Sequence, residues 1–226
     1  SRKQIPNSIV CTDNSQQDLL SQDIHIVSDM EKAKRVYESI RVKISPLSLK
    51  KVYYTYLSDF EDSGKWIYDY LKLGYSIGSK IDHHFADDRV LKIDKVSMKV
   101  GGEKHRILGL LRFQEIFKEI YYAPIEPDHN ILCLIAPHFA DRFSDQNWII
   151  HDVKRCLTAV YDKNGYSIER TDFKGGFTPS ENEKNYQLMW KTYFENIAIK
   201  SRINPKLQRR NMPARYWKHM VEKQMT

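Results

Sequence analysis

The sequence predicts an α+β fold: an N-terminal helical region, a small antiparallel or mixed sheet packed with a helix, then C-terminal helices. Three observations lead there. Apolar residues recur at helical spacing from about residue 28 to residue 100, after a polar and irregular lead. After Gly102 the pattern becomes extended, in short segments broken by turn signals. Beyond residue 177 helical spacing returns. The expected division is a flexible lead at 1–27, a helical region at 28–101, a small α+β core at 102–176, and a helical, basic-aromatic tail at 177–226. The tail is expected to pack on the same domain.

The elements follow in order. Ser28 and Glu31 have capping-box spacing at the head of "SDMEKAKRVYESIRVKI", and Met30, Ala33, Val36/Tyr37, Ile40 and Ile44 mark its apolar stripe. Ser45-Pro46 ends that helix and opens a second, because Pro suits the first helical position. Leu49, Val52/Tyr53 and Tyr56 are its expected stripe. "KWIYDYLKLG" is a third helix, stopped by Gly74. A fourth covers Asp87–Val100 and breaks at Gly101-Gly102. "ILGLLRFQEI" and "IYYAPIE" then read as strands joined by a short turn. "HNILCLIAPHFADRF" reads as a helix from about Asn130, turning Ile131, Leu134 and Ile135 toward the sheet. "NWIIHDV" and "LTAVYD" are extended, and "KNG" turns the chain into "YSIERTDF". Tyr186, Met189/Trp190 and Tyr193/Phe194 give the next helix its spacing, and a short helix follows Pro213.

Composition bounds the class. The chain has 226 residues, 41% apolar and 29% charged, which suits a folded protein with a substantial core. No apolar run is long enough to span a bilayer, and "SRKQIPNSIVCTDN" is not a signal peptide because its apolar stretch is too short. Cys11, Cys133 and Cys156 are odd in number and widely spaced, which argues against a disulfide framework and a clustered zinc site. A cytoplasmic location is the simplest expectation.

Charge is unevenly placed. Residues 191–226 hold nine Lys/Arg and two Asp/Glu, while the preceding 190 hold 27 of each, so the whole excess of +7 sits in the tail. "SRINPKLQRRNMPARYWKHM" interleaves Arg202, Lys206, Arg209, Arg210, Arg215 and Lys218 with Tyr216 and Trp217. Cations hold backbone phosphates and rings stack on bases, which makes DNA the expected partner. The bland alternative is a docked tail whose charges reach solvent. Trp217 is expected to dock, and Arg209 and Arg210 to meet phosphate.

The remaining candidates are polar groups near the strand-helix junction. "EPDHN" supplies Glu126, Asp128 and His129, with Asp128 suited to capping the helix. With His151 these could form acid-base machinery. Arg112 and Arg142 are candidate anion-binding residues; Arg112, in an apolar segment, needs a partner or an exit to water, and Glu126 is one choice. Asp128, Glu126, His129 and His151 are legal metal ligands, but no compact ligand signature accompanies them. No metal or other cofactor is therefore expected.

The segments "KVYYTYLSD", "YLKLG", "HRILGLLRF", "YYAPIEPDHNIL", "LIAPHFADRF", "WIIHD" and "NPKLQRRNMPARYWKHM" resemble a bacterial family of unknown function termed "probable DNA metabolism protein". The likeness runs from about Asp29 to Met220. It implies association with a radical-SAM DNA repair or modification protein. Some members resemble fusions to a uracil-DNA-glycosylase-like domain, whose signature does not occur here. Members also carry an N-terminal segment resembling "YDGSFEG", absent from this sequence.

Three functional readings stand at this point: a DNA-binding accessory domain, a DNA-processing enzyme centred on Glu126, His129 and His151, and an interaction scaffold for a repair enzyme.

Overall fold

The computed structural model describes residues 6, 8, 9, 24–171, 179–197, 199–202 and 204–223. Most of the expected flexible lead, Cys11 and the loop at 172–178 lie outside them. The architecture is the α+β one expected: helices, a five-stranded mixed sheet packed with a helix, then helices. The chain forms two units, 1–101 and 102–226.

The first unit is helical. Helix α1 (Met30–Lys43) is capped by Asp29, whose carboxylate accepts from Lys32 N–H at 3.0 Å, one residue later than the expected Ser28. Of its predicted stripe only Ile40 and Ile44 are buried, while Met30, Val36 and Tyr37 face solvent. Helix α2 (Pro46–Tyr56) starts as expected, with the Ser45 hydroxyl accepting from Ser48 N–H. Leu49 and Val52 of its predicted stripe are partly buried against the core, Tyr53 and Tyr56 are exposed, and the buried positions are the polar Ser48, Lys51 and Thr55. The Ser48 hydroxyl bonds the Tyr70 and Asp82 side chains, and Lys51 pairs with Asp94 at 2.7 Å.

Helix α3 (Ser63–Ile77) runs through Gly74 instead of stopping there. A Cβ at Gly74 would lie 2.8 Å from Ile44 Cδ1, so this glycine admits the side chain of α1. The stop is Gly78, whose φ of 64° suits glycine. Helix α4 (Asp88–Leu110) likewise runs through Gly101-Gly102. Two interior glycines cost about 1 kcal/mol each against alanine. The buried series Val90, Ile93, Val96, Val100, Glu103 and Ile107 repeats at steps of three and four, and its packing carries the helix across them.

In the second unit the sheet order is β1-β2-β3-β4-β5. Strands β1 (Gln114–Phe117) and β2 (Ile120–Ile125) form a hairpin, with Glu119 at the turn in the left-handed region. The first strand is shorter than predicted because residues 107–110 complete α4, which places Arg112 after a helix and before a strand. β3 (Asn147–Asp152) pairs parallel to β2, so helix α5 (Leu132–Arg142) makes the crossover. β4 (Leu157–Tyr161) and β5 (Tyr166–Arg170) continue antiparallel. Between them Asp162 accepts from both Asn164 and Gly165 N–H, the turn predicted at "KNG".

Ile131, Leu132, Ile135, Ala136 and Phe139 of the α5 segment are buried, as are Ala123, Ile125, Ile150 and Ala159 of the central strands. Trp148 is fully buried and stacks on Tyr161 at 5.1 Å. Helix α6 (Glu181–Ile197) starts at Ser180, whose hydroxyl accepts from Glu183 N–H. None of its residues is fully buried. Helix α7 (Pro205–Asn211) is capped by Asn204, and 3-10 turns at Ala214–His219 and Val221–Lys223 replace the expected terminal helix.

Candidate nucleic-acid interface

The "EPDHN" loop leaves β2 and is held from two sides. Glu103 of α4, 1% exposed, accepts the backbone N–H of Asp128 at 2.9 Å and of His129 at 2.8 Å. From the β3-β4 turn, the Arg155 guanidinium donates to the carbonyls of Pro127 and Asp128 and to the buried Asp152 carboxylate. Burial raises the pKa of Asp152, while Arg155 works against that rise. Asp128 does not cap α5: its carboxylate pairs with Arg215, and the residue before the helix, Ile131, makes no side-chain cap.

The tail returns to this loop. Tyr216 is buried, and its hydroxyl donates to Glu103 Oε1 at 2.6 Å. Arg215 pairs with Asp128 at 2.8 Å. Lys218 and His219 both reach Glu126 Oε1, at 2.5 and 3.0 Å. The Lys218 hydrogen bond is the main reason the Glu126 carboxyl sits below its ordinary pKa. Trp217 is half-buried, with its indole N–H on the Met212 carbonyl and Lys223 over its ring at 4.9 Å.

These contacts divide the predicted nucleic-acid-binding residues. Tyr216 takes an interior place that presents no ring face for stacking. Arg215 pairs with Asp128 and Lys218 with Glu126, with their side chains still 44% and 66% exposed. Arg202, Lys206, Arg209 and Arg210 are exposed, and among the described residues no ion pair engages them. On α7, Lys206 stands three and four residues before Arg209 and Arg210, which places all three on one side of the helix.

The other side of α7 lines a cleft of about 490 Å³. Gln208 and Asn211 of α7, Arg202, and the Arg112–Glu222 pair supply polar groups, and Phe194 of α6 and Met220 supply apolar wall. Arg112 bonds Glu222 at 2.7 Å, rather than the Glu126 considered from sequence. Trp190 donates its indole N–H to the same carboxylate at 3.3 Å. Burial is the largest single influence on the Glu222 carboxyl and pushes its pKa up, but the Arg112 hydrogen bond and charge, a backbone N–H and the Trp190 indole together hold it below the ordinary value.

The acid-base candidates are placed differently from expectation. Glu126 meets Lys218 and His219. His129 is buried at 8% exposure, and its backbone N–H donates to Glu103. The His151 ring bonds the Tyr122 hydroxyl through Nδ1 at 2.9 Å, and burial lowers its pKa. His151 lies opposite Pro124 in the sheet. Arg142 is exposed at the end of α5, with its guanidinium 5.7 Å from the Phe143 ring. Among the described residues no three His, Cys, Asp or Glu side chains are grouped to hold a metal, and no helix is long and apolar enough to cross a membrane.

Sequence reasoning missed Glu103 and Glu222. Glu103 had a legible signal: once α4 is continued through the two glycines, it falls on the buried stripe. Glu222 had none, because its role comes from long-range contacts with Arg112 and Trp190.

A family model for a domain of unknown function, DUF4130, matches residues 61–222. The match takes in Glu103, the loop, the cleft and the basic tail. No curated protein and no solved structure matches the chain.

Proposed function

Since the chain belongs to the DUF4130 family, whose function is unknown, we propose from its own surface that it is a nucleic-acid-binding accessory domain of DNA metabolism. The observation that carries this reading is the exposed cation set on and beside α7, Arg202, Lys206, Arg209 and Arg210, left over after Arg215 and Lys218 are neutralised. Clustered cations attract phosphate and release its counterions. The family resemblance supports a radical-SAM DNA repair or modification enzyme as the working partner.

Fluorescence anisotropy with labelled duplex and single-stranded DNA tests the reading. Binding is expected at low salt, weakening steeply between about 50 and 200 mM. No binding at the lowest salt rejects it.

The scaffold reading has one observation in its favour. Tyr186, Met189, Trp190 and Tyr193 of α6 are 65%, 66%, 40% and 54% exposed, and their spacing gives them one face. Met189→Glu would then abolish binding to the repair enzyme while leaving DNA affinity unaltered. An unchanged protein interaction removes this reading.

A further inference from the structure

We infer that the cleft takes one unpaired nucleobase of a single strand, while the strand's phosphates lie on the outward cations of α7. The inference rests on the nucleic-acid reading above and adds a strand preference to it. Its first support is the geometry of α7. At 100° per residue, Leu207, Asn211 and Gln208, all lining the cleft, fall within an arc of about 100°. Arg209, Lys206 and Arg210 occupy a second arc of similar width. The two arcs meet where Arg210 follows Leu207 by three residues, so a chain crossing that edge has phosphate on one side and base on the other.

The second support is the cleft's chemistry. Its volume, about 490 Å³, falls in the range of roughly 300–1,000 Å³ usual for small-molecule clefts. Phe194 is the aromatic member of the lining, with Lys223 Nζ 5.6 Å from its ring centroid on one face, and base-aromatic stacking tolerates any base. Gln208 and Asn211 carry both donors and acceptors, as a base edge requires.

Charge sets the orientation. The Glu222 carboxylate belongs to the lining and is already paired with Arg112. Arg112 neutralises it, so among the described residues the inner wall holds no unpaired cation for a phosphate, while the amides of Gln208 and Asn211 offer an exocyclic amine an acceptor. Arg202 also lines the cleft and is exposed to solvent. The anion therefore goes to Arg202 and the α7 cations, and the base goes inward.

The test uses the full chain and a single strand bearing one 2-aminopurine, whose emission rises when the base leaves its stacked neighbours. The same titrations are made with the four nucleoside 5′-monophosphates. Wild type is expected to raise the emission on binding and to prefer single strand over matched duplex by about tenfold or more. Asn211→Trp fills the cleft and is expected to lose the emission rise together with about tenfold in affinity. Gln208→Ala, a smaller change, covers the case in which the Trp variant melts early; it is expected to weaken mononucleotide binding several-fold. Arg209→Ala lowers affinity but keeps the emission rise at saturation.

Binding of single strand and duplex with equal affinity and no emission change overturns the cleft and leaves the nucleic-acid reading standing. An emission rise that survives both cleft variants overturns it too. Failure to bind any oligonucleotide or mononucleotide overturns both.

Discussion

Glu103 is the residue on which the loop and the tail converge. It sits on the apolar stripe of α4, and its two oxygens accept from Asp128 N–H, His129 N–H and the Tyr216 hydroxyl. A buried carboxylate is costly unless such donors meet it, and donors left behind after its removal are costly in turn. Glu103→Ala is expected to lose about 3–5 kcal/mol of stability by denaturant unfolding. Tyr216→Phe removes one donor only and should lose about 1–3 kcal/mol. The pair shares one network, so the double variant should cost less than the sum.

Two histidines contribute to acid sensitivity, beside the carboxylates of Glu126 and Glu222, whose pKa values are lowered in the fold. Burial holds His151 and His219 below the ordinary value of 6.5, with Glu126 opposing the shift at His219. A histidine whose folded pKa is lowered binds its proton more readily when unfolded. Its stabilisation is present above about pH 6.5 and is lost as pH falls through the lowered folded value. His151→Gln should therefore flatten the fall in stability between about pH 7 and pH 5, as read from melts in matched buffers. An identical fall in the variant would show that His151 contributes nothing to it. Of these residues, His151 and Tyr216 were visible in the sequence as polar or aromatic groups. Their partners, Tyr122 and Glu103, are 29 and 113 residues away, and local spacing says nothing about such distances.

At the scale of elements, periodicity located most helices and strands but glycine misplaced two ends. Gly74 and Gly101-Gly102 read as stops because glycine is poor in helix interiors. In the fold, Gly74 makes room for Ile44, and the stripe of α4 is long enough to outweigh the pair. Gly102 has no comparable steric need. A Cβ there would meet its nearest neighbour, Arg106 Nη1, at 3.5 Å, an ordinary contact. Gly102→Ala should stabilise the protein by about 0.5–1 kcal/mol, seen as a raised denaturation midpoint. Destabilisation would mean that the glycine serves a conformation the helix does not show. The α2 stripe held only in part: Leu49 and Val52 pack on the core, but Ser48, Lys51 and Thr55 take the most buried positions through hydrogen bonds and an ion pair, which an apolar count does not see.

For the whole molecule, the charge imbalance was legible at once and its use was not. Composition places every excess cation after residue 190, yet it cannot tell Lys218, tied to Glu126, from Lys206, which faces solvent. The partition arises because the 3-10 turns dock against the loop while α7 is left exposed on one side. The central claim is that only the outward set meets phosphate. The slope of log affinity against log salt for duplex DNA measures it directly, for wild type, Lys206→Ala/Arg209→Ala/Arg210→Ala, and Lys218→Ala. The account predicts that the triple variant loses about three units of slope, near one for each phosphate contact, while Lys218→Ala keeps the wild-type slope. Equal slopes for wild type and the triple variant, or a loss confined to Lys218→Ala, would contradict it.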